Sequence, residues 1–317
     1  MDAHRALAVP AASPQDDFAQ NLAAGLAKTQ KEIACKYFYD EEGSRLFDAI
    51  CALPEYYQTR TETALLARHA AEIAALMGAG AEIVEFGAGS LRKVRILLEA
   101  ASPQAYTPLD ISGAYLGEVV RALAADYPML TLRPVVADFT RPMDIPALAG
   151  NPRRAGFFPG STIGNFKPDA AMALLRRMHA ALGGGGLLVG VDLVKDPARL
   201  HAAYNDAAGV TAKFNKNLML RANRELGSDF DPEGFAHYAP YNAAAGRIEM
   251  YLVSRRRQSV TIAGERIEFA PGEPVHTEDS HKYTIESFRE MAARTGFRPR
   301  AVWTDPERLF SLHWLES

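Results

Sequence analysis

The stretch from Glu82 to Ser90, EIVEFGAGS, is the clearest indication of the fold of this chain. Its first five residues include the apolar Ile83, Val84 and Phe86 and are typical of a short strand, and Gly87 and Gly89 follow before a helical pattern begins at Leu91. An open α/β sheet binds a nucleotide at such a loop between its first strand and the next helix. Glycines let the backbone approach the ligand closely there. The stretch therefore predicts a nucleotide-binding α/β domain.

Strands and helices alternate onward from this loop, which predicts a parallel sheet covered by helices on both faces. The predicted elements lie at 82–86, 91–100, 105–111, 114–127, 130–137, 156–159, 168–182 and 187–194. A long helical stretch, Pro197–Leu226, then leads into short strands that indicate an antiparallel insertion. A helix at Ile285–Ala293 and strands at Arg300–Thr304 and Leu309–Leu315 close the edge of the sheet. We expect a doubly wound, mostly parallel, seven-stranded sheet with an inserted α+β domain.

The residues around the glycine loop favour S-adenosylmethionine (SAM) over a dinucleotide. A dinucleotide fingerprint needs a small residue at its sixth position, where this chain has Arg92. Asp110, at the end of the second strand, is suited to ribose hydroxyls, and Asp138 with Phe139 after the third is suited to adenine. Lys93 has two interpretations: a solvated surface lysine, or a contact to the carboxylate of the methionine moiety.

A second glycine-rich segment, Gly160–Phe166, follows the fourth strand. Methyltransferases of this architecture place the acceptor nitrogen beside this loop, so Asn165 is a candidate for orienting an amine. From spacing alone, a simple glycine-rich turn is an equally good interpretation. Upstream, Thr59 and Glu62 have the spacing of a capping box, which predicts that a helix begins there.

Composition excludes several classes of function. The formal charge of −3 offers no basic field for a phosphate backbone, so no nucleic-acid partner is expected. Cys35 and Cys51 show neither metal-ligand spacing nor a disulfide framework, which predicts no metal site and the reduced thiols of a cytoplasmic protein. No apolar run approaches the roughly 18 residues of a membrane-spanning helix, so no membrane partner is expected. A monomer is the expected form.

Eight further motifs are spread along the chain. They are KYFYD (36–40), GS (43–44), LPEYY (53–57), GSTIGN (160–165), DLVKD (192–196), AAGVTA (207–212), RIEM (247–250) and TEDS (277–280). In their order and spacing, residues 36–306 resemble the family of L-histidine Nα-methyltransferases of ergothioneine biosynthesis. The resemblance implies a class I SAM-dependent methyltransferase that trimethylates the α-amino group of histidine to hercynine.

The resemblance also implies a role for individual residues, by matching motif. The amino-acid head group would be held, or its pocket lined, by Tyr39, Tyr56, Gly160, Asn165 and Tyr204, with Asn165 and Tyr39 as the catalytic pair. The imidazole would be bound by Glu278 and Ser280, with Met250 packed beside it. SAM would be bound by Gly87, Gly89, Lys93, Asp110, Asp138 and Phe139.

The imidazole assignment has physical support, because Glu278 and Ser280 are two residues apart and face the same side if they lie on a strand. Asp279 departs from the family pattern: on a strand it would face away from the pocket, and in a loop its charge would change ring preference. We expect His281 at the surface and Tyr57 to be a packing residue.

The resemblance implies a domain organisation in which the substrate domain is discontinuous. Residues 61–196 and 284–317 are expected to form the SAM-binding domain. Residues 197–283 are expected to form the inserted substrate domain, together with the N-terminal segment 1–60.

Two rival functions are compatible with the sequence. The first is the same chemistry on another aromatic amino acid or a histidine derivative, although Glu278 argues against tryptophan because indole offers one donor and no acceptor. The second is a non-catalytic SAM-binding partner in a biosynthetic complex, which would be expected to lack the acceptor residues that this chain retains. A nicotinamide-dependent enzyme ranks below both.

Overall fold

A computed structural model of the chain describes residues 14–317 except Ser90 and Ala263. The described α-helices are α1 (Pro14–Leu26), α2 (Glu41–Ala52), α3 (Tyr57–Met77), α4 (Leu91–Ala101), α5 (Gly113–Asp126), α6 (Pro168–Leu182), α7 (Pro197–Tyr204), α8 (Val210–Leu226) and α9 (Ile285–Ala293). The described strands are β1 (Glu82–Phe86), β2 (Ala105–Asp110), β3 (Thr131–Leu132), β4 (Val135–Val136), β5 (Arg154–Phe158), β6 (Gly186–Asp192), β7 (Phe235–Tyr238), β8 (Tyr241–Asn242), β9 (Arg247–Ser254), β10 (Gln258–Ile262), β11 (Glu265–Phe269), β12 (Pro274–His281), β13 (Arg298–Thr304) and β14 (Phe310–Glu316). Within this described part, no helix is both long and apolar enough to cross a membrane.

The chain divides into two compact units. The larger unit comprises Pro54–Ala203, Tyr241–Ile248 and Asp279–Ser317. The smaller unit comprises the described residues up to Leu53, together with Tyr204–Pro240 and Glu249–Glu278. The domain boundaries expected from the sequence, 1–60, 61–196, 197–283 and 284–317, stay a prediction.

The larger unit is built on a sheet with the strand order β13-β14-β6-β5-β1-β2-β3. Strands β6, β5, β1 and β2 run parallel to one another, whereas β14 is antiparallel to β6 and to β13. β3 pairs with the first half of β2 and β4 with its last two residues, so together they occupy one position in the sheet. The predicted mostly parallel, seven-stranded sheet is confirmed.

The predicted strand 130–137 is wrong in one respect, because it is interrupted between Leu132 and Val135. Pro134 has no N–H to donate to a ladder and therefore ends regular pairing there. The short second piece, β4, still brings the chain to the end of β2, where Ala137 N–H donates to Asp110 O at 3.0 Å. The site at this edge of the sheet is therefore unaffected by the break.

Apolar side chains cover both faces of this sheet, as expected for parallel strands enclosed by helices. Every residue of β1 and β6 is buried. One face is covered by a cluster that includes Leu66, Ile83, Leu97, Phe157 and Trp314, and the other by one that includes Val84, Phe158, Leu174, Val189 and Phe288. Each such side chain contributes about 1.5–3 kcal/mol on burial. The packing fixes the carboxyl ends of the parallel strands at one edge, where the loops of interest follow.

The smaller unit contains α1, α2 and α8, a hairpin of β10 and β11, and most of an antiparallel sheet in the order β12-β9-β7. The antiparallel pairing of the insertion is as predicted, but the single helical stretch 197–226 is wrong. Helix α7 ends at Tyr204 and α8 begins at Val210, because Asp206 caps α8 by accepting hydrogen bonds from Val210 N and Thr211 N, both at 2.8 Å. Gly209 has a φ of 68°, a conformation that favours glycine.

Candidate active site

The loop after β1 lies against the end of β2. Gly87 N and Ala88 N both donate to Leu109 O, at 2.9 and 3.0 Å. Gly87 has a φ of 77°, and a Cβ added there would lie 3.2 Å from the Phe139 ring. A side chain at residue 87 would therefore be strained by the backbone and crowded by the ring. Glycine is therefore required at residue 87, where the sequence predicts that the backbone approaches the ligand closely.

The two predicted cofactor-binding acids follow neighbouring strands. Asp110 ends β2 and its Oδ1 accepts from Ser112 N at 2.8 Å, while Asp138 follows β4 and its Oδ1 accepts from Thr140 N at 2.9 Å. Burial raises the pKa of Asp110, against the lowering effect of the backbone N–H groups of Ser112 and Ile111. These bonds hold both carboxylates at the carboxyl edge of the sheet.

Phe139 is half-buried and meets Phe158 edge to face, with ring centroids 5.8 Å apart. The larger unit thus brings together Gly87, Asp110, Asp138 and Phe139 at three adjacent strand ends. This set of groups matches the chemistry of an adenosyl group. It contains two carboxylates that can accept from hydroxyl and amino groups, an aromatic ring, and a glycine whose position has no room for a side chain.

Beneath the glycine loop is a third acid, Glu85, which was not among the predicted site residues. It is 2% exposed and accepts a hydrogen bond from the Tyr106 hydroxyl. Burial raises the pKa of Glu85 to about 8, although that hydrogen bond and the charge of Lys93 oppose the shift. Glu85 therefore keeps its proton to a higher pH than an exposed carboxyl group does.

Lys93 is 9% exposed and pairs with the carboxylate of Glu62, so the solvated-lysine interpretation is wrong. The capping-box interpretation of Thr59 and Glu62 is also wrong, because α3 begins two residues earlier, at Tyr57. Glu62 is fully buried and accepts from Gly160 N at 2.9 and 3.0 Å. The sequence contains a signal for this burial. Glu62 precedes the apolar residues Leu65 and Leu66 by three and four positions, so it lies on the apolar side of the helix.

The loop after β5 that is predicted to lie beside the acceptor, Gly160–Phe166, is called the acceptor loop below. It begins with two residues in left-handed conformation, Gly160 with a φ of 77° and Ser161 with a φ of 57°. A 3₁₀ helix, Thr162–Asn165, follows and leaves Asn165 half-buried. A Cβ added at Gly164 would lie 2.8 Å from the backbone oxygen of His281. The loop is therefore packed on the end of β12, and residue 164 must be glycine for this close approach.

Next to the loop is a buried charge cluster centred on Asp192, the last residue of β6. Its carboxylate accepts from the Tyr57 hydroxyl at 2.9 Å and from Gln58 Nε2 at 2.8 Å. It also pairs with Lys195 at 2.6 Å and Lys282 at 2.8 Å. The prediction that Tyr57 only packs is wrong, because its hydroxyl is part of this cluster.

The titration of the cluster follows from these neighbours. Burial alone would raise the pKa of Asp192, but the ammonium groups of Lys282 and Lys195 hold it below its usual value. Burial lowers the pKa of Lys195 to about 8, against the attraction of Asp192. The cluster is joined to the acceptor loop, since Asp192 N donates to Ser161 Oγ at 2.9 Å.

Ser280 is connected to the same cluster. It is 4% exposed, and Lys282 Nζ donates to its Oγ at 2.7 Å. The segment is a strand, so Asp279 points to the opposite side from Ser280, and there it pairs with Arg247 at 3.2 Å. The strand alternative for Asp279 is therefore the correct one. The expectation of a surface position for His281 is wrong, because it is 7% exposed.

Four of the predicted substrate residues belong to the smaller unit. Tyr39 meets the rings of Phe47 and Phe214 edge on, with centroids 5.7 and 5.9 Å away. Its side chain is 40% exposed, yet its pKa is raised well above the usual value, first by burial around the hydroxyl and then by the charge of Glu278. Tyr204 is 6% exposed, and its electrostatic interaction with Tyr39 also raises the pKa of Tyr39. Tyr39, Tyr204 and Glu278 are thus brought together.

Met250, the fourth of these residues, is 2% exposed. Its backbone oxygen accepts from Thr277 Oγ1 at 3.1 Å, which places it opposite the residue that precedes Glu278. The remaining predicted residues belong to the larger unit, where Tyr56 is 7% exposed and directly precedes α3. The roles of the individual residues stay predictions.

Comparison with known proteins agrees with these features. Residues 18–317 match the family described as histidine-specific methyltransferase, SAM-dependent. The histidine N-alpha-methyltransferase of Mycolicibacterium smegmatis is 42% identical over 301 residues, which cover 92% of each chain. Ergothioneine biosynthesis protein 1 of Neurospora crassa is 31% identical over 285 residues, which cover 86% of this chain and 32% of that protein.

A more distant relative carries a different name. The 4-dimethylallyltryptophan N-methyltransferase of Arthroderma benhamiae is 26% identical over 311 residues, which cover 92% of this chain and 90% of that one. The family match extends over almost the whole chain and includes every residue of the site described above. The chain belongs to the family of histidine-specific, SAM-dependent methyltransferases, and it is an enzyme that uses SAM as its methyl donor.

Proposed function

We propose that this enzyme transfers three methyl groups in turn from SAM to the α-amino group of L-histidine, forming hercynine for ergothioneine biosynthesis in the cytoplasm. The observation that carries the proposal is the match of residues 18–317 to the histidine-specific family. The chemistry of the larger unit supports the cofactor, and the acidic and hydroxyl groups on β12 support the acceptor.

The sulfonium of bound SAM supplies an electrophilic methyl carbon. Gly87 and Gly89 would let the backbone approach SAM, Asp110 would accept from the ribose hydroxyls, and Asp138 with Phe139 would hold the adenine. Lys93 would contact the carboxylate of the methionine moiety. Backbone N–H groups hold the carboxylates of Asp110 and Asp138, and Glu62 holds Lys93, so the enzyme contributes mainly by positioning.

The acceptor must present a neutral amine, although a free amino acid is mostly an ammonium ion at neutral pH. We assign Asn165 and the hydroxyls of Tyr39 and Tyr56 to orienting the amine through hydrogen bonds that they accept from it, while protons leave to water. Gly160 and Tyr204 line the head-group pocket. Substituting Asn165→Ala is expected to lower kcat at saturating histidine, and turnover equal to wild type would rule out this role.

The imidazole is the group that selects histidine. Glu278 accepts from a ring N–H, Ser280 bonds the other ring nitrogen, and Met250 packs beside the ring. An apolar side chain in this pocket would leave a carboxylate and a hydroxyl unpaired, at a cost of about 1–3 kcal/mol or more for each buried group. Leucine and phenylalanine are therefore expected to be rejected.

The test is mass spectrometry of the purified enzyme after incubation with SAM and histidine, tryptophan or tyrosine. We expect histidine alone to be converted, to a product three methyl groups heavier. A monomethylated product under prolonged turnover would refute trimethylation. No product from histidine would refute the acceptor assignment while leaving SAM binding to be measured separately.

The alternative acceptor is a tryptophan derivative, which the name of the Arthroderma benhamiae relative brings into consideration. Glu278 and Ser280 together favour histidine. Indole has one donor, which Glu278 could accept from, but it has no acceptor for a hydrogen bond from Ser280. Competition between histidine and tryptophan at equal concentration separates the two. Preferential methylation of tryptophan would favour the alternative.

A further inference from the structure

We infer that Glu62 is a positioning residue for methyl transfer, whose single carboxylate holds both the cofactor lysine Lys93 and the first residue of the acceptor loop, Gly160. The inference rests on the proposed function for the roles of these two partners. It goes beyond that function because it gives a role to a residue that contacts no substrate in the proposal and lies in none of the family motifs.

The geometry around Glu62 is specific. Its side chain is fully buried in α3, and both of its oxygens lie within hydrogen-bond distance of Gly160 N, at 2.9 and 3.0 Å. Oε2 also pairs with Lys93 in the first turn of α4. A Cβ added at Gly160 would lie 3.8 Å from Lys93 Nζ, so the lysine and the loop share this one anchor.

The fold leaves space for this carboxylate. Gly190 of β6 faces it, and a Cβ added at Gly190 would lie only 2.1 Å from Glu62 Oε1. A glycine in the middle of a buried strand weakens the strand, since it has no side chain to pack. Its presence here is explained by the approach of the carboxylate, which could not otherwise reach Gly160 and Lys93 together.

A buried carboxylate is unfavourable unless it is paired and hydrogen-bonded, and each partner of Glu62 belongs to a functional element. Lys93 follows the glycine loop, and its flexible side chain has three N–H donors. Directing one of them to Glu62 limits where the other two point. Gly160 starts the loop that carries Asn165, so its amide sets where that loop leaves β5. Glu62 therefore fixes a cofactor contact and an acceptor contact at once.

Substitution Glu62→Gln tests this role at constant size. Because both oxygens face Gly160 N, either orientation of the new amide turns its NH₂ group toward another donor, Gly160 N–H or the Lys93 ammonium. We expect the Kd for S-adenosylhomocysteine to rise about tenfold to a hundredfold, the range that loss of a hydrogen bond to a charged group produces. We expect the KM for histidine to rise about fivefold or more, because the loop is also displaced.

Two further variants separate the two effects. Lys93→Met removes the cofactor contact but leaves the bond from Gly160 N to Glu62, so it should weaken S-adenosylhomocysteine binding without raising the KM for histidine. Glu72→Gln is the matched control, a Glu-to-Gln change on the same helix at an exposed side chain that bonds His69 and Trp303. It should leave both affinities within twofold of wild type.

The decisive measurements are calorimetric titration with S-adenosylhomocysteine and steady-state kinetics in histidine, on variants whose folding is verified by thermal denaturation. A purely structural Glu62 would lower the melting temperature and leave both constants unchanged, which would overturn the inference. If the wild type binds S-adenosylhomocysteine but does not methylate histidine, the proposed function fails. The change in the Kd for S-adenosylhomocysteine then still decides whether Glu62 positions Lys93.

Discussion

Substituting Gly190→Ala probes how tightly the interior of the larger unit encloses Glu62. The new Cβ would lie 2.1 Å from Glu62 Oε1 and 3.1 Å from both Glu62 Cδ and Phe310 Cε1. Contacts under about 3 Å are not tolerated between these atoms, so the carboxylate must withdraw. It cannot withdraw without stretching its bonds to Gly160 N and Lys93, because the side chain is fully buried.

The magnitude follows from two costs and one gain. Overpacking a buried strand typically costs about 1–3 kcal/mol. Loss of one buried hydrogen bond to a charged group costs about 1.5–3 kcal/mol. Replacing glycine in a strand interior returns about 0.5–1 kcal/mol of backbone entropy. We therefore expect a net destabilisation of about 2–5 kcal/mol, or a fall in Tm of roughly 4–10 °C at about 2 °C per kcal/mol for a chain of this size.

The assay is thermal denaturation followed by circular dichroism, with Gly117→Ala as control. A Cβ at Gly117, inside α5, would meet only the Arg121 guanidinium, at 3.6 Å. That variant should be about 0.5–1 kcal/mol more stable than wild type, because alanine is the better helix former. If Gly190→Ala melted within 1 °C of wild type and bound S-adenosylhomocysteine equally well, the carboxylate would not be enclosed as described.

Two further predictions concern buried charge. Because the pKa of Glu85 is raised to about 8, the folded state binds this proton more tightly than the unfolded chain, and the stability it contributes is lost as pH rises from about 4.5 to 8. Glu85→Gln, which keeps a partner for Tyr106, should therefore gain several kcal/mol relative to wild type between pH 5 and pH 9 in denaturant titrations, at about 1.4 kcal/mol per pKa unit. A pH-independent difference would contradict this. Lys282→Met removes one counter-charge of Asp192 and the donor to Ser280, so we expect about 3–5 kcal/mol of destabilisation and a roughly tenfold higher KM for histidine, with S-adenosylhomocysteine binding unchanged. A wild-type KM for histidine would show that Lys282 does not position Ser280.

The fold was largely predictable because its signals are local. A buried parallel strand such as β6 is a short, mostly apolar run, and the helices between such strands repeat their apolar residues at helical spacing. The glycine loop and the acids Asp110 and Asp138 could be found for the same reason, since each directly follows a strand. The errors were at interruptions: Pro134 divides one strand, and the Asp206 cap divides one helix.

The site was only partly predictable, because motifs identify residues but not their partners. Tyr39, Glu278 and Ser280 were assigned to the substrate site by resemblance to a family, and no periodicity would have selected them. The capping-box interpretation of Glu62 shows the limit, since the same residue types at the same spacing can begin a helix or lie buried within one. Which of these occurs depends on what faces the residue across the core.

The class of fold, the position of the glycine loop after β1 and, through resemblance, the family could thus be inferred from the sequence alone. The partners of the buried charges are visible only in the folded chain. There Glu62 binds both Lys93 and Gly160, and the Asp192 carboxylate contacts Tyr57, Lys195 and Lys282. The physical reason is that a buried charge is stabilised by whichever partners the packing brings within about 3 Å, however distant in the chain. Residues 57 and 282 meet at Asp192 because β6 ends where α3 begins and β12 ends.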